Sequence, residues 1–180
     1  MKPVVFLDMD GVLSHFLEQF FGVLPAMIDQ EVDKNFIHPE KARMFANFVN
    51  ENELNVVLSS DWRRRFQFAS RGPKAFADYF FESTGCTIPV IGFTPNLGHR
   101  GMDIDSYVQK HKVENYVILD DCEDMLPSQL QHFVHVNHIN GLTMSDLVIA
   151  SNMLHLDNEL SGMVRWIKWH QAYKYYRPGV

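Results

Sequence analysis

Short apolar runs that stop abruptly at polar residues recur along this chain, with stretches of helical spacing between them. Pro3 to Leu7 reads as a buried strand that ends at Asp8-Met9-Asp10-Gly11. Continuing its alternation carries Asp8 and Asp10 to the same side just beyond the strand. Asn55 to Leu58 forms a second such run, ending in Ser59-Ser60-Asp61, and Asn115 to Leu119 a third, ending in Asp120-Asp121. Ile88 to Phe93 and Phe133 to Val136 have the composition of further short strands.

The intervening segments predict helices. Pro39 to Asn52 has proline near its start and Ala42, Phe45, Phe48 and Val49 at face-forming intervals. Pro73 to Glu82 reads the same way, as does Asp103 to Lys112, with Ile104, Tyr107, Val108 and His111 on one face. Ser14 to Val23 also has helical spacing and ends at Leu24-Pro25. The tail from Asp157 to Tyr176 reads as an aromatic-rich helix. Strands alternating with helices predict an α/β fold, a three-layer α/β/α sandwich on a mainly parallel sheet. The Asp8 strand should be central, with the Ser59 and Asp121 strands near it. One domain is expected: a core over 1–156 with a small cap-like insert at about 14–38, and a C-terminal aromatic and basic helix over 157–180 within the same unit.

Composition narrows the picture modestly. At 180 residues and 46% apolar, the chain is long enough to bury a substantial core. A net charge of −6 argues against general electrostatic retention on nucleic acid, while leaving room for a local basic patch. Cys86 and Cys122 are too few and too unpatterned for a disulfide scaffold, and no signal-like segment precedes Asp8. A reducing cytoplasm is the expected location. No apolar run approaches the roughly 20 residues that span a bilayer, so no membrane partner is expected.

The order Asp8-x-Asp10-Gly11, strand then Ser59, a basic residue, strand then Asp120-Asp121 resembles the haloacid dehalogenase (HAD) superfamily of phosphohydrolases. A closer likeness is to small HAD phosphatase domains associated with nucleic-acid end repair, of the polynucleotide 3′-phosphatase type. Leu58-Ser59-Ser60-Asp61-Trp62-Arg63, Arg100-Gly101-Met102-Asp103-Ile104, Val117 to Asp121, and Gly141-Leu142-Thr143 carry it. It covers about residues 3 to 155. That superfamily inserts caps after the first motif or between the second and third. Here the first interval leaves about 25 residues, and the second is filled by core elements, so any cap is minimal. A site without a large lid suits a bulky substrate such as a nucleic-acid end, although an oligomer could supply a lid from outside.

The resemblance implies roles for individual residues. Asp8 is the expected nucleophile, forming an aspartyl-phosphate, and Asp10 the general acid and then base. Gly11 lets the chain turn beside the phosphate. Asp8, Asp120, Asp121 and a phosphate cannot share a small space unneutralised, since each like-charge contact at about 4 Å costs about 4 kcal/mol even at an effective dielectric near 20. A divalent cation is implied, and hard oxygen ligands favour Mg²⁺ over zinc. Its expected ligands are Asp8, the main-chain carbonyl of Asp10, and Asp121, with Asp120 in support and Asp124 in an outer position. Ser59 is the expected hydrogen-bond donor to a phosphoryl oxygen, with Ser60 as substitute. Arg100 is the expected charge-balancing cation and His99 its rival, while Lys110 sits too far into its helix. Arg63 is the residue most expected on substrate phosphate, with Arg64 beside it; Arg65 completes the run, and Arg71 and Lys74 could extend the basic rim. A solvated charged face is the competing reading of that arginine run.

Weaker signals have mainly structural readings. Trp166, Trp169, Tyr173 and Tyr176, interleaved with basic residues, suggest a stacking surface for single strands. Packing on the core or in a homo-oligomer is the expectation preferred here. His132, His135 and His138 should not converge on a metal, and Cys122 reads as a small packing residue. Phe16, Phe20, Phe21 and Phe36 either line the site mouth or pack in the core, the second being preferred. The expected function is therefore Mg²⁺-dependent hydrolysis of phosphomonoesters on nucleic-acid 3′ ends or nucleotides. A 5′-(deoxy)nucleotidase, another small-molecule phosphatase, a phosphotransferase and a non-catalytic phosphate-binding regulatory module are its rivals.

Overall fold

The computed structural model describes residues 2–14, 37–66 and 72–156. In chain order its elements are β1 (Val4–Leu7), α1 (Pro39–Glu51), β2 (Asn55–Leu58), α2 (Arg63–Phe66), α3 (Pro73–Thr84), β3 (Val90–Phe93), α4 (Arg100–His111), β4 (Tyr116–Asp120), a 3-10 segment (Pro127–His132), β5 (Phe133–His135) and α5 (Met144–Met153). The five strands form a single parallel sheet ordered β3-β2-β1-β4-β5, with β1 central between β2 and β4.

Strand alternation divides the core between two faces. Val5, Leu7, Val56, Leu58, Val117 and Leu119 pack with apolar residues of α1, α3 and α5. Val4, Phe6, Val57 and Ile118 turn the other way onto Ile104 and Tyr107 of α4. The Phe6 ring meets the rings of Tyr107 and Tyr116 edge-on at 5.7 and 5.5 Å. Helices on both faces of a parallel sheet make the expected three-layer sandwich.

The register positions the chemistry. Leu7 is level with Leu58 on one side and Leu119 on the other, so the next residues, Asp8, Ser59 and Asp120, emerge side by side. The ladder continues that far, because the Asp8 N–H donates to Leu119 O and the Ser59 N–H to Leu7 O. The chain builds outward from β1 through β2 to β3 and then crosses to β4. The carboxyl ends of β1 and β4 therefore flank the switch point where open α/β sheets form their ligand crevice.

Four of the expected helix-face residues, Ala42, Phe45, Phe48 and Val49, are buried in α1. His38 Nδ1 caps that helix by accepting from the N–H groups of Glu40 and Lys41. α4 starts at Arg100, one turn before the apolar spacing alone indicates. Two elements were not anticipated, the 3-10 segment and α5. The Ser14–Val23 helix, most of the cap-like insert, the phenylalanines within it and the C-terminal aromatic helix fall outside the described residues. Among the described residues no helix is long and apolar enough to cross a membrane.

Candidate active site

Asp8 stands at the centre of the site and is almost fully buried. Its alternation with Phe6 directs it toward the α4 face, where Arg100 occupies the first position of the helix. Arg100 Nη1 lies 2.9 Å from Asp8 Oδ1 and its Nε lies 3.4 Å from Asp120 Oδ2. The same Nη1 also donates to the main-chain carbonyl of Ser59. One guanidinium thus touches the ends of all three central strands. Burial disfavours its charge, but Asp8 and Asp120 outweigh burial and raise its pKa.

The carboxylates around it are crowded. Burial, then Asp120, pushes the Asp8 pKa well up, Arg100 pulls it down, and Asp10 and Asp121 push it up further. Asp120 is raised to about 6, first by burial, against the pull of Arg100. Its Oδ1 accepts from the Cys122 N–H, whereas its buried Oδ2 accepts no hydrogen bond. Asp8, Asp120 and Asp121 each offer an oxygen within 4.8 Å of the other two. Three hard carboxylates, one with a buried oxygen that accepts no hydrogen bond, fit a divalent cation of the Mg²⁺ type. Both members of the Asp120-Asp121 doublet contribute to the cluster: Asp120 level with Asp8 and wholly buried, Asp121 one residue further and partly open.

Gly11 lies in the turn after β1, as expected, and is also crowded by Asp121. Its φ is +74°, and a Cβ built on it would sit 2.3 Å from Asp121 Oδ2. Glycine here makes room for the acidic cluster. Asp10, by contrast, is exposed, and the indole Nε1–H of buried Trp62 donates to both its carboxylate oxygens at 3.0 Å. Burial raises the Asp10 pKa and the Trp62 hydrogen bond moderates it. Trp62 is the residue sequence reasoning passed over. The available signal was a tryptophan just past a strand end, whose buried N–H must find an acceptor.

Ser59 is completely buried, and its hydroxyl has no hydrogen-bond partner. Ser60 is also buried, and its Oγ accepts from the Trp62 N–H at 3.4 Å, bracing the turn into α2. Arg63 differs from expectation. It is 2% exposed and turned into the protein, donating to Ser59 O and, through Nη2, to Pro95 O at 3.1 Å and Asp103 Oδ2 at 2.7 Å. Both terminal nitrogens of this guanidinium are thus engaged by protein oxygens, while its buried Nε has no hydrogen-bond partner. Arg64 stays at the surface, 3.4 Å from Asp61 Oδ1, and the Arg65 guanidinium lies 5.5 Å from the Trp62 ring centroid. Lys74 pairs with Asp78 at 2.7 Å, and Arg71 lies outside the described residues.

The remaining expectations resolve similarly. Asp124 contacts α4: its Oδ2 accepts from the Arg100 N–H, its main-chain carbonyl accepts from Gly101, and its Oδ1 is 2.9 Å from His99 Nε2. His99 therefore braces the start of α4 from beside it. Gly101 allows a close approach, since a Cβ there would meet Leu126 N at 2.7 Å. Gly141-Leu142-Thr143 supports the first loop: the Leu142 N–H donates to Val12 O, and Lys41 Nζ donates to Leu142 O. His132 stacks on Tyr116, and His135 and His138 are exposed. Cys122 is exposed too, a correction to its reading as a packing residue.

Residues 4–147 match the family described as the HAD domain in Swiss Army Knife RNA repair proteins. The chain belongs to that family. No curated protein and no solved structure matches it. The HAD domain accounts for both the sheet order and the acidic cluster at its carboxyl edge, and it supports a phosphatase-type or related role.

Proposed function

We propose that this HAD domain is a Mg²⁺-dependent phosphomonoester hydrolase that removes terminal phosphates, with the nucleic-acid 3′-phosphate as its preferred substrate. The observation that carries this reading is the convergence of Asp8, Asp120 and Asp121 within 4.8 Å, with Arg100 2.9 Å from Asp8. The membership in an RNA-repair family supports the substrate class. Asp8, Asp121 and Asp120 would hold the cation, with the Asp10 main-chain carbonyl completing the protein ligands. Bound there, Mg²⁺ would offset the carboxylate charge and polarise the phosphoryl oxygens.

Asp8 attacks phosphorus in line; the P–O bond to the leaving group breaks as a new bond to the Asp8 carboxylate forms. Protonated Asp10 gives its proton to the departing oxygen. Asp10 then takes a proton from water as the water oxygen bonds to phosphorus, and the Asp8–phosphorus bond breaks to release phosphate. Arg100 would balance charge on the nucleophile and the transferring group, and the unpartnered Ser59 hydroxyl would donate to a phosphoryl oxygen. The exposed position of Asp10 suits exchange with leaving groups and water. Arg64 and Arg65, exposed on α2, suit a polyanionic substrate.

The test compares phosphate release from a 3′-phosphorylated oligoribonucleotide, mononucleotides and sugar phosphates, with Mg²⁺ or EDTA and with Asp8→Asn as blank. Mg²⁺-dependent release that is fastest on the oligonucleotide supports the proposal. Faster release from free 5′-nucleotides makes the protein a nucleotidase instead. Binding of beryllium fluoride without turnover of any phosphoester identifies a non-catalytic module.

A further inference from the structure

Arg63 and Asp103 are separated by 40 residues in sequence and form a buried ion pair at 2.7 Å between the segment after β2 and the first turn of α4. Both side chains are almost wholly excluded from solvent. Burial lowers the Arg63 pKa and Asp103 opposes that shift. Such a pair is retained at a desolvation cost, so its value is often in fixing one geometry.

Its surroundings indicate which geometry. Arg63 Nη1 and Arg100 Nη1 donate to the same acceptor, the Ser59 carbonyl, so one peptide group is shared by two arginines. Asp103 lies one turn after Arg100 on α4. Its second oxygen accepts from the Leu97 N–H at 2.6 Å, which ties down the loop entering that helix. Arg63 reaches the same loop through Pro95 O and Asn96 Oδ1. The pair therefore closes a ring running Ser59, Arg63, Asp103, α4, Arg100 and back to Ser59.

The geometry points to Arg63 and Asp103 as positioning residues that set the placement of Arg100 on Asp8 and of Ser59 beside it. This inference rests on the hydrolase reading for its effect on rate, and on structure alone for its effect on Arg100. Breaking the pair releases the first turn of α4, and a displacement of Arg100 by about 1 Å lowers turnover on the order of 100-fold.

The experiment uses the full chain with Asp103→Asn, Arg63→Lys, Asp103→Glu and Arg100→Lys, and the Asp103→Asn/Arg100→Lys double variant. Two readouts are taken: kcat on the 3′-phosphorylated oligonucleotide, and the side-chain Nε–H resonance of Arg100, assigned by its loss in Arg100→Lys. Asp103→Asn should shift or broaden that resonance and lower kcat on the order of 100-fold, and Asp103→Glu, which restores the charge, should recover much of both. In the Arg100→Lys background, Asp103→Asn should cost no more than about twofold further, the scatter expected of effects already removed. A folded Asp103→Asn with unchanged Arg100 resonance and kcat overturns the inference, as does a full multiplicative loss in the double variant. Should Asp103→Asn not fold, Arg63→Lys decides by the same criteria, because lysine keeps the charge but cannot bond Ser59, Pro95 and Asp103 together. If the wild-type protein hydrolyses no phosphomonoester, the hydrolase reading falls, and the Arg100 resonance alone still upholds or refutes the positioning.

Discussion

The Trp62 indole N–H reaches both oxygens of the Asp10 carboxylate at 3.0 Å, joining the loop after β1 to the turn after β2. Asp10 is the exposed acid of the site and Trp62 is buried beside it, so a rigid donor holds a group that solvent would otherwise leave mobile. That relationship makes the protonation state of Asp10 depend on a residue outside the acidic cluster.

Trp62→Phe should keep the buried ring and remove only this donor. The hydrogen bond favours the ionised carboxylate, so its loss raises the Asp10 pKa beyond what burial already imposes. In the proposed mechanism Asp10 donates a proton and so must start protonated, and the alkaline limb of kcat/KM should move to higher pH. A fall in kcat of about tenfold is expected from the lost orientation. A pH–rate profile of the two proteins checks both effects.

Gly11→Ala should damage the acidic cluster without touching any acid. A Cβ at this position would stand 2.3 Å from Asp121 Oδ2, and the φ of +74° is unfavourable for alanine. The expected result is a stability loss of about 1–3 kcal/mol. Mg²⁺ affinity should fall with it, because Asp121 must move. Urea melts and Mg²⁺ titration by calorimetry measure the two separately.

How far this site was readable before the fold is clearest at Asp8, Ser59 and Asp120. Each ends an apolar strand, so strand length and polarity alone located them at one edge of a parallel sheet. Arg63 was not readable in the same way. Its place in an Arg63-Arg64-Arg65 run suggests a surface cation, and only tertiary contact reveals Asp103 as its partner. α5 was missed because its residues lack a clear apolar stripe. Its capping box, in which Thr143 and Asp146 satisfy each other's termini, was present in the sequence all the same. The Trp62–Asp10 bond depends on two loops meeting across neighbouring strands, which no local pattern encodes.

Without a cation, the crowded carboxylates should make the fold less stable as pH rises. Asp120 has its pKa raised from 3.8 to about 6 in the fold, and that of Asp8 is raised as well. A raised carboxyl pKa contributes stability below its unfolded value, and the contribution is lost as pH climbs through the folded value. For Asp120 the difference is worth about 3 kcal/mol at most. In EDTA the part of stability owed to Asp120 should decline between about pH 4 and pH 7, and Asp120→Asn should remove that decline. Mg²⁺ should reverse it, with a stabilisation that grows over the same interval, because the ion binds the deprotonated form. Thermal melts of both proteins across that range, with Mg²⁺ and with EDTA, provide the measurement. A Mg²⁺ effect independent of pH would contradict carboxylate ligation.

Arg100→Lys tests whether charge or shape matters more at the centre of the site. Arginine touches Asp8, Asp120 and the Ser59 carbonyl through fixed planar donors, whereas a lysine ammonium is a single compact donor group on a flexible stem. The positive charge survives the substitution, so the fold should tolerate it. The simultaneous contacts do not survive, and part of the pull that lowers the Asp8 pKa goes with them. Turnover should fall by about 100-fold or more, the scale of losing one preorganised electrostatic contact. The acidic limb of the rate profile should move to higher pH, because the proposed attack by Asp8 needs its ionised form and its pKa will have risen. A variant with near-normal kcat would mean that net charge suffices, and that the three-way grip of this guanidinium serves folding more than chemistry.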